Sequence, residues 1–301
     1  MKKFLACQLI VFLMVHLAGC SIYAPNTPEP PQPEPGVNNT QEPSLEPQDS
    51  PDTEETEDKP PDPLTPVESP DDEVLTQSRS WYFQRNKLHQ VPYVDPQIIN
   101  MLDKYSSFYA IPNNEKKIYL TFDEGYELGY TGQILDILKE NHVSAAFFIT
   151  GHYLRSQPEL VQRMADEGHL VCNHTNNHPD LGSISKEELV FEITSLASDY
   201  KKLVGKDMDP YLRPPSGKYS AQSLKFTQEL GYTTVFWSMA FNDWDPNNQP
   251  GAEYSFNHVM ENIHPGAVIL LHAVSESNTG ALDRMVKELK NQGYVFATFD
   301  Q

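Results

Sequence analysis

Side chains able to transfer protons or bind metal ions recur from residue 123 onwards in this chain of 301 residues. They comprise three carboxylates, three imidazoles and one guanidinium: Asp123, Glu124, His174, His178, Arg213, Asp243 and His272. Carboxylates and imidazoles are common general acids and bases, and both bind divalent cations. A cluster of these types would suit acid–base or metal-assisted chemistry if the fold brought them together.

Each of these residues also has an ordinary structural explanation when it is taken alone. The acidic stretch at Asp123 can be a plain turn, and His174 and His178 can be polar loop residues. Arg213 can be a surface salt-bridge partner, and His272 can be a hydrogen-bonded histidine of the core. The positions of the residues in the predicted fold must therefore decide between these explanations.

The sequence after residue 115 alternates between strand-like and helix-like patterns. Seven strands are predicted, at residues 118–122, 144–149, 169–173, 210–213, 233–237, 267–271 and 294–299. Predicted helices lie between them, one with Pro158 in its first turn and one that begins with a capping box at Ser185. This alternation predicts a parallel α/β domain. A (β/α) barrel is favoured over an open doubly wound sheet, because residues 121–125 lack a glycine-rich phosphate-binding turn.

A barrel of parallel strands carries its chemistry at the carboxyl ends of the strands. Asp123 follows the first predicted strand, and the histidine pair beginning at His174 follows the third. Arg213 ends the fourth strand, Asp243 lies shortly after the fifth, and His272 ends the sixth. We therefore predict that these side chains line one rim of one barrel.

Five stretches of the chain, in order, resemble the five motifs of polysaccharide deacetylases, also called carbohydrate esterase family four or the NodB-homology domain. They are TFDEG at 121–125, HTNNH at 174–178, RPPSG at 213–217, NDW at 242–244 and LH at 271–272. The resemblance covers residues 116–301 and implies a distorted (β/α) barrel with about seven parallel strands. The stretches 122–127, 236–241 and 264–272 are most similar to peptidoglycan N-acetylmuramic acid deacetylases, which supply muramic δ-lactam to the spore cortex.

The resemblance implies roles for single residues in the hydrolysis of an amide. Asp123 would be the base and His272 the acid. Arg213 would keep Asp123 ionised, because a nearby cation favours a carboxylate, and Asp243 would orient His272. The backbone N–H of Ser216 would donate to the oxyanion. Two tryptophans would shape the pocket wall, Trp237 and Trp244.

The resemblance also implies a divalent metal ion, held by His174, His178 and a carboxylate. The usual carboxylate is a second Asp in the first motif, and this chain has Glu124 there. The added methylene moves the oxygen by far more than the tolerance of about 0.2 Å for a ligand distance. We expect Glu124 to complete the site in another rotamer. The alternative is an ion held by two histidines and water, and nitrogen and oxygen ligands suit zinc, cobalt or manganese.

The first 78 residues have the features of an exported, tethered protein. Residues 1–19 resemble a lipoprotein signal peptide that ends before a lipidated Cys20, although a retained membrane anchor helix is the alternative. Residues 20–78 are acidic and proline-rich, which predicts a disordered tether. Residues 79–115 are rich in aromatic side chains and are predicted to pack on the outside of the deacetylase domain, residues 116–301.

The charge balance and the resemblance together define the expected function. The net charge of −20 disfavours binding to a nucleic-acid backbone. We expect a monomer anchored to the outer face of the cytoplasmic membrane, with the peptidoglycan glycan strand as its partner. The expected reaction removes the acetyl group from N-acetylmuramic acid. The alternatives are a deacetylase of N-acetylglucosamine in peptidoglycan or chitin-like oligomers, and a wall-binding lipoprotein without turnover.

Overall fold

The computed structural model of this chain describes residues 76–300. The predicted signal peptide, the predicted lipidation site Cys20 and nearly all of the predicted tether lie outside the described residues. None of the helices between residues 76 and 300 is long and apolar enough to cross a lipid bilayer.

Strands and helices alternate along most of this part of the chain. The strands are β1 (Arg79–Ser80), β2 (Ser107–Phe108), β3 (Lys117–Glu124), β4 (Ala146–Ile149), β5 (Leu170–Asn173), β6 (Tyr211–Leu212), β7 (Lys218–Tyr219), β8 (Thr233–Val235), β9 (Val268–His272) and β10 (Val295–Phe296). The helices are α1 (Pro96–Lys104), α2 (Thr131–Glu140), α3 (Gly151–Ser156), α4 (Pro158–Asp166), α5 (Lys186–Val204), α6 (Ala221–Glu229), α7 (Ala252–Asn262) and α8 (Glu276–Asn291). A short 3₁₀ turn covers Pro215–Gly217.

Eight of these strands form one sheet in which every pairing is parallel. Their order is β10-β3-β4-β5-β6-β8-β2, and β9 also pairs with β3. A parallel bridge between Met239 and Ile269 brings the chain after β8 beside β9, so the sheet curls towards a barrel. The predicted distorted α/β barrel is confirmed, and a strand is present at each of the seven predicted positions.

Residues 79–115 contribute to the sheet as well as packing beside it. β2 pairs with β8, with Ser107 opposite Thr234. β1 pairs with β7 in a separate antiparallel ribbon. Neither β1 nor β2 is predictable from the sequence, because a strand of two residues is too short to show a period of two.

The pleat of β3 separates its side chains into two layers. Ile118, Leu120 and Phe122 pack in the cluster that includes the buried face of α2. Tyr119 packs in the cluster enclosed by the sheet. Because successive side chains of a strand point to opposite faces, Asp123 continues the enclosed side and Glu124 continues the helix side.

The sequence signals for helix ends are also present in the structure. The Ser185 side chain accepts from the N–H of Glu188, and the Glu188 carboxylate accepts from the N–H of Ser185, which forms the predicted capping box of α5. α5 ends at Gly205, whose φ of 77° lies in the left-handed region that glycine adopts readily. Pro158 is the first residue of α4, as predicted.

Candidate active site

The carboxyl ends of the parallel strands bring most of the predicted site residues to one rim. Asp123 and His272 are register partners at the ends of β3 and β9. His174 directly follows β5, and Arg213 directly follows β6. The contacts described below connect these residues into two hydrogen-bonded groups at neighbouring strand ends.

A buried ion pair connects β3 to β6. Arg213 Nη1 donates to Asp123 Oδ1 at 2.7 Å, and both side chains are almost entirely buried. Burial alone would raise the pKa of Asp123, but the positive charge and the hydrogen bond of Arg213, together with the charge of His272, outweigh it and hold that pKa below its ordinary value. Asp123 is therefore ionised at neutral pH and can accept a proton.

The rest of the Arg213 guanidinium is held by aromatic rings and by the backbone. Its central carbon lies 4.1 Å from the ring centroid of Phe148 and 5.8 Å from that of Trp237. Nε donates to the carbonyl of Val235 at 3.3 Å. Within residues 76–300, Nη2 is buried without a hydrogen-bond partner. The guanidinium is thus held in place, and its Nη2 can still donate a hydrogen bond.

Two imidazoles lie beside Asp123. The ring centroids of His174 and His178 are 5.0 Å apart, and His174 Nε2 lies 3.5 Å from Asp123 Oδ2. His174 Nδ1 contacts the carbonyl oxygen of Arg213 at 2.8 Å. Because a carbonyl only accepts, Nδ1 carries the hydrogen and the Nε2 lone pair faces the carboxylate.

Both imidazoles are neutral at pH 7. Burial lowers the pKa of His174 to about 4 and also lowers the pKa of His178. The loop that carries them holds Thr175 at a φ of 68° and His178 at a φ of 60°. Such backbone conformations cost energy outside glycine and occur often at functional sites. Neutral imidazoles facing a carboxylate suit the binding of a cation.

Glu124 does not join this group. Its side chain is fully buried, and Oε2 contacts Thr131 Oγ1 at the beginning of α2, 3.4 Å away. Burial raises the pKa of Glu124 well above its ordinary value, and the charges of Glu127 and Asp123 raise it further. Among the described residues, no three His, Cys, Asp or Glu side chains are grouped as a metal site. The geometry favours the alternative of an ion held by two histidines and water, because the pleat of β3 turns Glu124 to the helix layer, and the role of Glu124 as a ligand stays a prediction.

A second hydrogen-bonded group lies at the end of β9. His272 Nδ1 contacts Asp243 Oδ1 at 2.7 Å, and the backbone N–H of His272 donates to Asp243 Oδ2 at 2.9 Å. Burial alone would lower the pKa of His272, but the hydrogen bond and charge of Asp243 raise it above its ordinary value. His272 is a quarter exposed at the rim, and its raised pKa favours the protonated imidazole there.

Asn278, in the first turn of α8, is a further part of this group that the sequence analysis missed. Its amide nitrogen donates to Asp243 Oδ2 and also contacts the carbonyl of His272 at 3.3 Å. The carboxylate of Asp243 is thereby fully hydrogen-bonded. No motif marks Asn278 in the sequence, since it contacts Asp243 only after α8 packs against the strand ends.

Three predicted residues remain: Ser216, Trp237 and Trp244. Ser216 sits in the 3₁₀ turn with φ 52° and ψ 19°. Trp237 is partly buried and faces Arg213, whereas Trp244 is 59% exposed next to Asp243. The structure therefore packs Trp237 against Arg213 and leaves Trp244 mostly exposed to solvent.

Comparisons with known proteins agree with this geometry. Residues 110–235 match the family model for polysaccharide deacetylase. The peptidoglycan-N-acetylmuramic acid deacetylase PdaA of Bacillus subtilis is 47% identical over 221 residues, which are 73% of this chain and 84% of that protein. A peptidoglycan-N-acetylglucosamine deacetylase of Bacillus cereus is 38% identical over 197 residues, 64% of this chain and 91% of that protein.

The solved structure of Bacillus subtilis PdaA, a family 4 carbohydrate esterase, superimposes with a TM-score of 0.73 at 46% identity. The superposition covers 75% of this chain and 96% of the PdaA chain. The fold, the ordered motifs and the identity over most of both proteins lead to one assignment. This chain belongs to the polysaccharide deacetylase family.

Proposed function

We propose that this protein hydrolyses the N-acetyl amide of N-acetylmuramic acid in peptidoglycan. The similarity to PdaA over most of both chains supports the substrate. The observation that carries the chemistry is the pairing of Asp123, whose pKa is lowered, with His272, whose pKa is raised, at the ends of adjacent strands. A base and an acid held side by side at one rim are what amide hydrolysis requires.

Asp123 begins the reaction by taking a proton from the attacking water. The water oxygen then forms a bond to the acetyl carbon, and the carbonyl oxygen gains negative charge. The N–H of Ser216 is proposed to donate to this oxygen. Because Arg213 holds Asp123 Oδ1, Oδ2 is the oxygen left to receive the proton.

His272 completes the reaction by protonating the leaving nitrogen. Nδ1 is engaged by Asp243, so the proton is transferred from Nε2. The carbon–nitrogen bond then breaks, and the products are acetate and the free amine of the sugar. Asp243 and Asn278 hold the imidazole in place. Asp243 accepts from the backbone N–H of His272, and Asn278 donates both to Asp243 and to the carbonyl of His272.

A divalent cation fits the two neutral imidazoles. His174 and His178 would hold it, with the carbonyl of Arg213 fixing the tautomer of His174. When bound, the cation polarises the acetyl carbonyl and lowers the pKa of a bound water. Nitrogen and oxygen donors accept zinc, cobalt or manganese alike, so the choice of metal is left to experiment.

The test is incubation of the purified protein with peptidoglycan fragments, with and without a chelator, followed by tandem mass spectrometry. Loss of acetyl from muramic residues is the expected result. Asp123→Asn should abolish it, whereas Asp199→Asn, a surface carboxylate change on α5, should not. Asp123→Asn with normal turnover would contradict the mechanism.

A second candidate substrate is N-acetylglucosamine, in peptidoglycan or in chitin-like oligomers. The similarity to the Bacillus cereus glucosamine deacetylase favours keeping it. Acetyl loss from glucosamine residues in the same spectra would establish this reading. Unchanged fragments with every metal tested would leave the third possibility, a wall-binding protein without turnover.

We also propose that the protein is an exported lipoprotein on the outer face of the cytoplasmic membrane, active in spore-cortex synthesis. The support is the sequence of residues 1–20 and the resemblance to muramic acid deacetylases. Labelling cells with a radioactive fatty acid should mark the wild-type protein and not Cys20→Ser. Spores that carry Asp123→Asn should lack muramic δ-lactam.

A further inference from the structure

The segment before the barrel contacts the loop that carries Ser216. In the β1–β7 ribbon, Ser80 is the partner of Lys218. The next residue, Trp81, donates its backbone N–H to the carbonyl of Gly217 at 2.8 Å. The ribbon therefore extends up to the 3₁₀ turn, and Trp81 is the residue that reaches it.

Gly217 is enclosed by two tryptophans. A Cβ at this position would lie 2.9 Å from Trp81 Cβ and 2.9 Å from Trp237 Cη2. Real Cβ atoms do not approach other atoms so closely, so the loop backbone lies directly against both side chains. Its φ of 64° also favours glycine. Packing of this kind leaves the turn little room to move.

Trp81 is itself firmly held. It is 8% exposed, and its ring stacks on Phe236 with the centroids 4.5 Å apart. Its indole Nε1 donates to the carbonyl of Trp237 at 2.9 Å. One residue thus connects the backbone of Gly217 to the backbone of Trp237, whose ring faces Arg213 in the active site.

The turn needs such support. Ser216 is a non-glycine residue in the left-handed region, at φ 52°. Conformations of this kind persist only where the surrounding structure enforces them. An oxyanion donor must be held within a few tenths of an ångström of its productive position before the reaction begins.

We propose that Trp81 is a positioning residue for catalysis, which holds the 215–217 turn so that the Ser216 N–H faces the developing oxyanion. The proposal rests on the proposed deacetylase function. It makes the segment before the barrel a part of the catalytic machinery, although Trp81 lies outside the residues that match the family model.

The first experiment compares steady-state kinetics of Trp81→Ala with those of Leu102→Ala in the full chain. Leu102 on α1 is 1% exposed in the same hydrophobic cluster, and its truncation removes buried surface without removing the indole ring or its hydrogen bond to the carbonyl of Trp237, which Trp81→Ala removes. Loss of one oxyanion donor costs about 10²–10³ in kcat, so a loosened donor should cost roughly 10- to 100-fold. KM should change by less than about threefold, because the interaction forms only in the transition state. Leu102→Ala should keep kcat at temperatures where it is folded.

Trp81→Phe keeps a ring on Phe236 while it removes the indole N–H, and both Trp81→Phe and Trp81→Ala keep the backbone donor to Gly217. Trp81→Phe should recover most of the lost kcat. Equal kcat values for Trp81→Ala and Leu102→Ala, both shown to be folded by circular dichroism, would overturn the proposal.

Hydrogen exchange of the backbone amides gives a readout that does not depend on turnover. Amides of residues 216–219 should exchange faster in Trp81→Ala than in Leu102→Ala. Unchanged exchange in that stretch would overturn the proposal even if kcat fell. Conversely, a wild-type protein that deacetylates no substrate, with faster exchange in Trp81→Ala, would refute the proposed function and leave the structural role of Trp81 standing.

Discussion

Replacing Arg213 by methionine removes the cation that faces Asp123 and keeps an apolar side chain against Phe148. The two charged groups are 2.7 Å apart and buried. At that separation their attraction is about 6 kcal/mol for an effective dielectric of 20, and much of it offsets the cost of removing both ions from water. Arg213→Met leaves a buried carboxylate without compensation. We expect its free energy of unfolding at pH 7 to fall by about 3–5 kcal/mol.

The double variant Asp123→Asn/Arg213→Met lacks both charges, and its side chains have nearly the same volume as those of the wild type. It should be more stable than Arg213→Met alone, since no uncompensated ion remains. The assay is urea unfolding of the wild type, both single variants and the double variant, all with a chelator present. If the two single effects add up to the double effect within about 0.5 kcal/mol, the groups are not coupled and the reasoning is refuted.

The pH dependence of the unfolding free energy tests the direction of the pKa shift of Asp123. The folded pKa of Asp123 lies below its ordinary value, so the pair contributes stability above the unfolded pKa of about 4 and loses it as the pH falls through the folded pKa. The gap in unfolding free energy between wild type and Arg213→Met should therefore narrow as the pH falls below about 5. A gap that widened in acid would contradict this account.

Three further predictions concern other parts of the site. Asp243→Asn removes the charge that raises the pKa of His272, so kcat at pH 7 should fall by about 10²-fold or more and the alkaline limb of the pH–rate profile should move to lower pH. Glu124→Gln should leave the zinc affinity, measured by calorimetry, within about threefold of the wild type, whereas His178→Ala should weaken it by about 100-fold. An equal loss of affinity in both variants would show that Glu124 is a ligand. Gly151→Ala would place a Cβ 2.7 Å from the backbone oxygen of Asn176, which lies between the two histidines. The melting temperature and the zinc affinity of this variant should both fall. Unchanged values would contradict the prediction that this loop is tightly packed.

Sequence patterns were sufficient for the arrangement of the rim. The period of two in the strands and the polar residues that follow them predicted that Asp123, Arg213 and His272 lie together. The physical reason is general: parallel strands connected by helices place all their carboxyl ends on one side of the sheet. The order of the five motifs along the chain then indicated the family before any coordinates.

The direction of the Glu124 side chain depends on more than the motif resemblance. The resemblance indicated a metal ligand, but the alternation of Ile118, Leu120 and Phe122 extends to residue 124 and assigns it to the helix layer. The alternation of apolar residues is visible in the sequence, whereas the motif alone indicates only the residue type. A strand that continues through the motif decides the direction of both acidic side chains.

The sequence by itself determined which chemistry this protein carries and on which side of the sheet it lies. Only the tertiary structure decided how that chemistry is supported. Asn278 reaches Asp243 because α8 packs across the strand ends, and Trp81 reaches Gly217 because β1 pairs with a strand more than a hundred residues away in sequence. Contacts between distant segments depend on packing rather than on local pattern, so no window along the chain contains them.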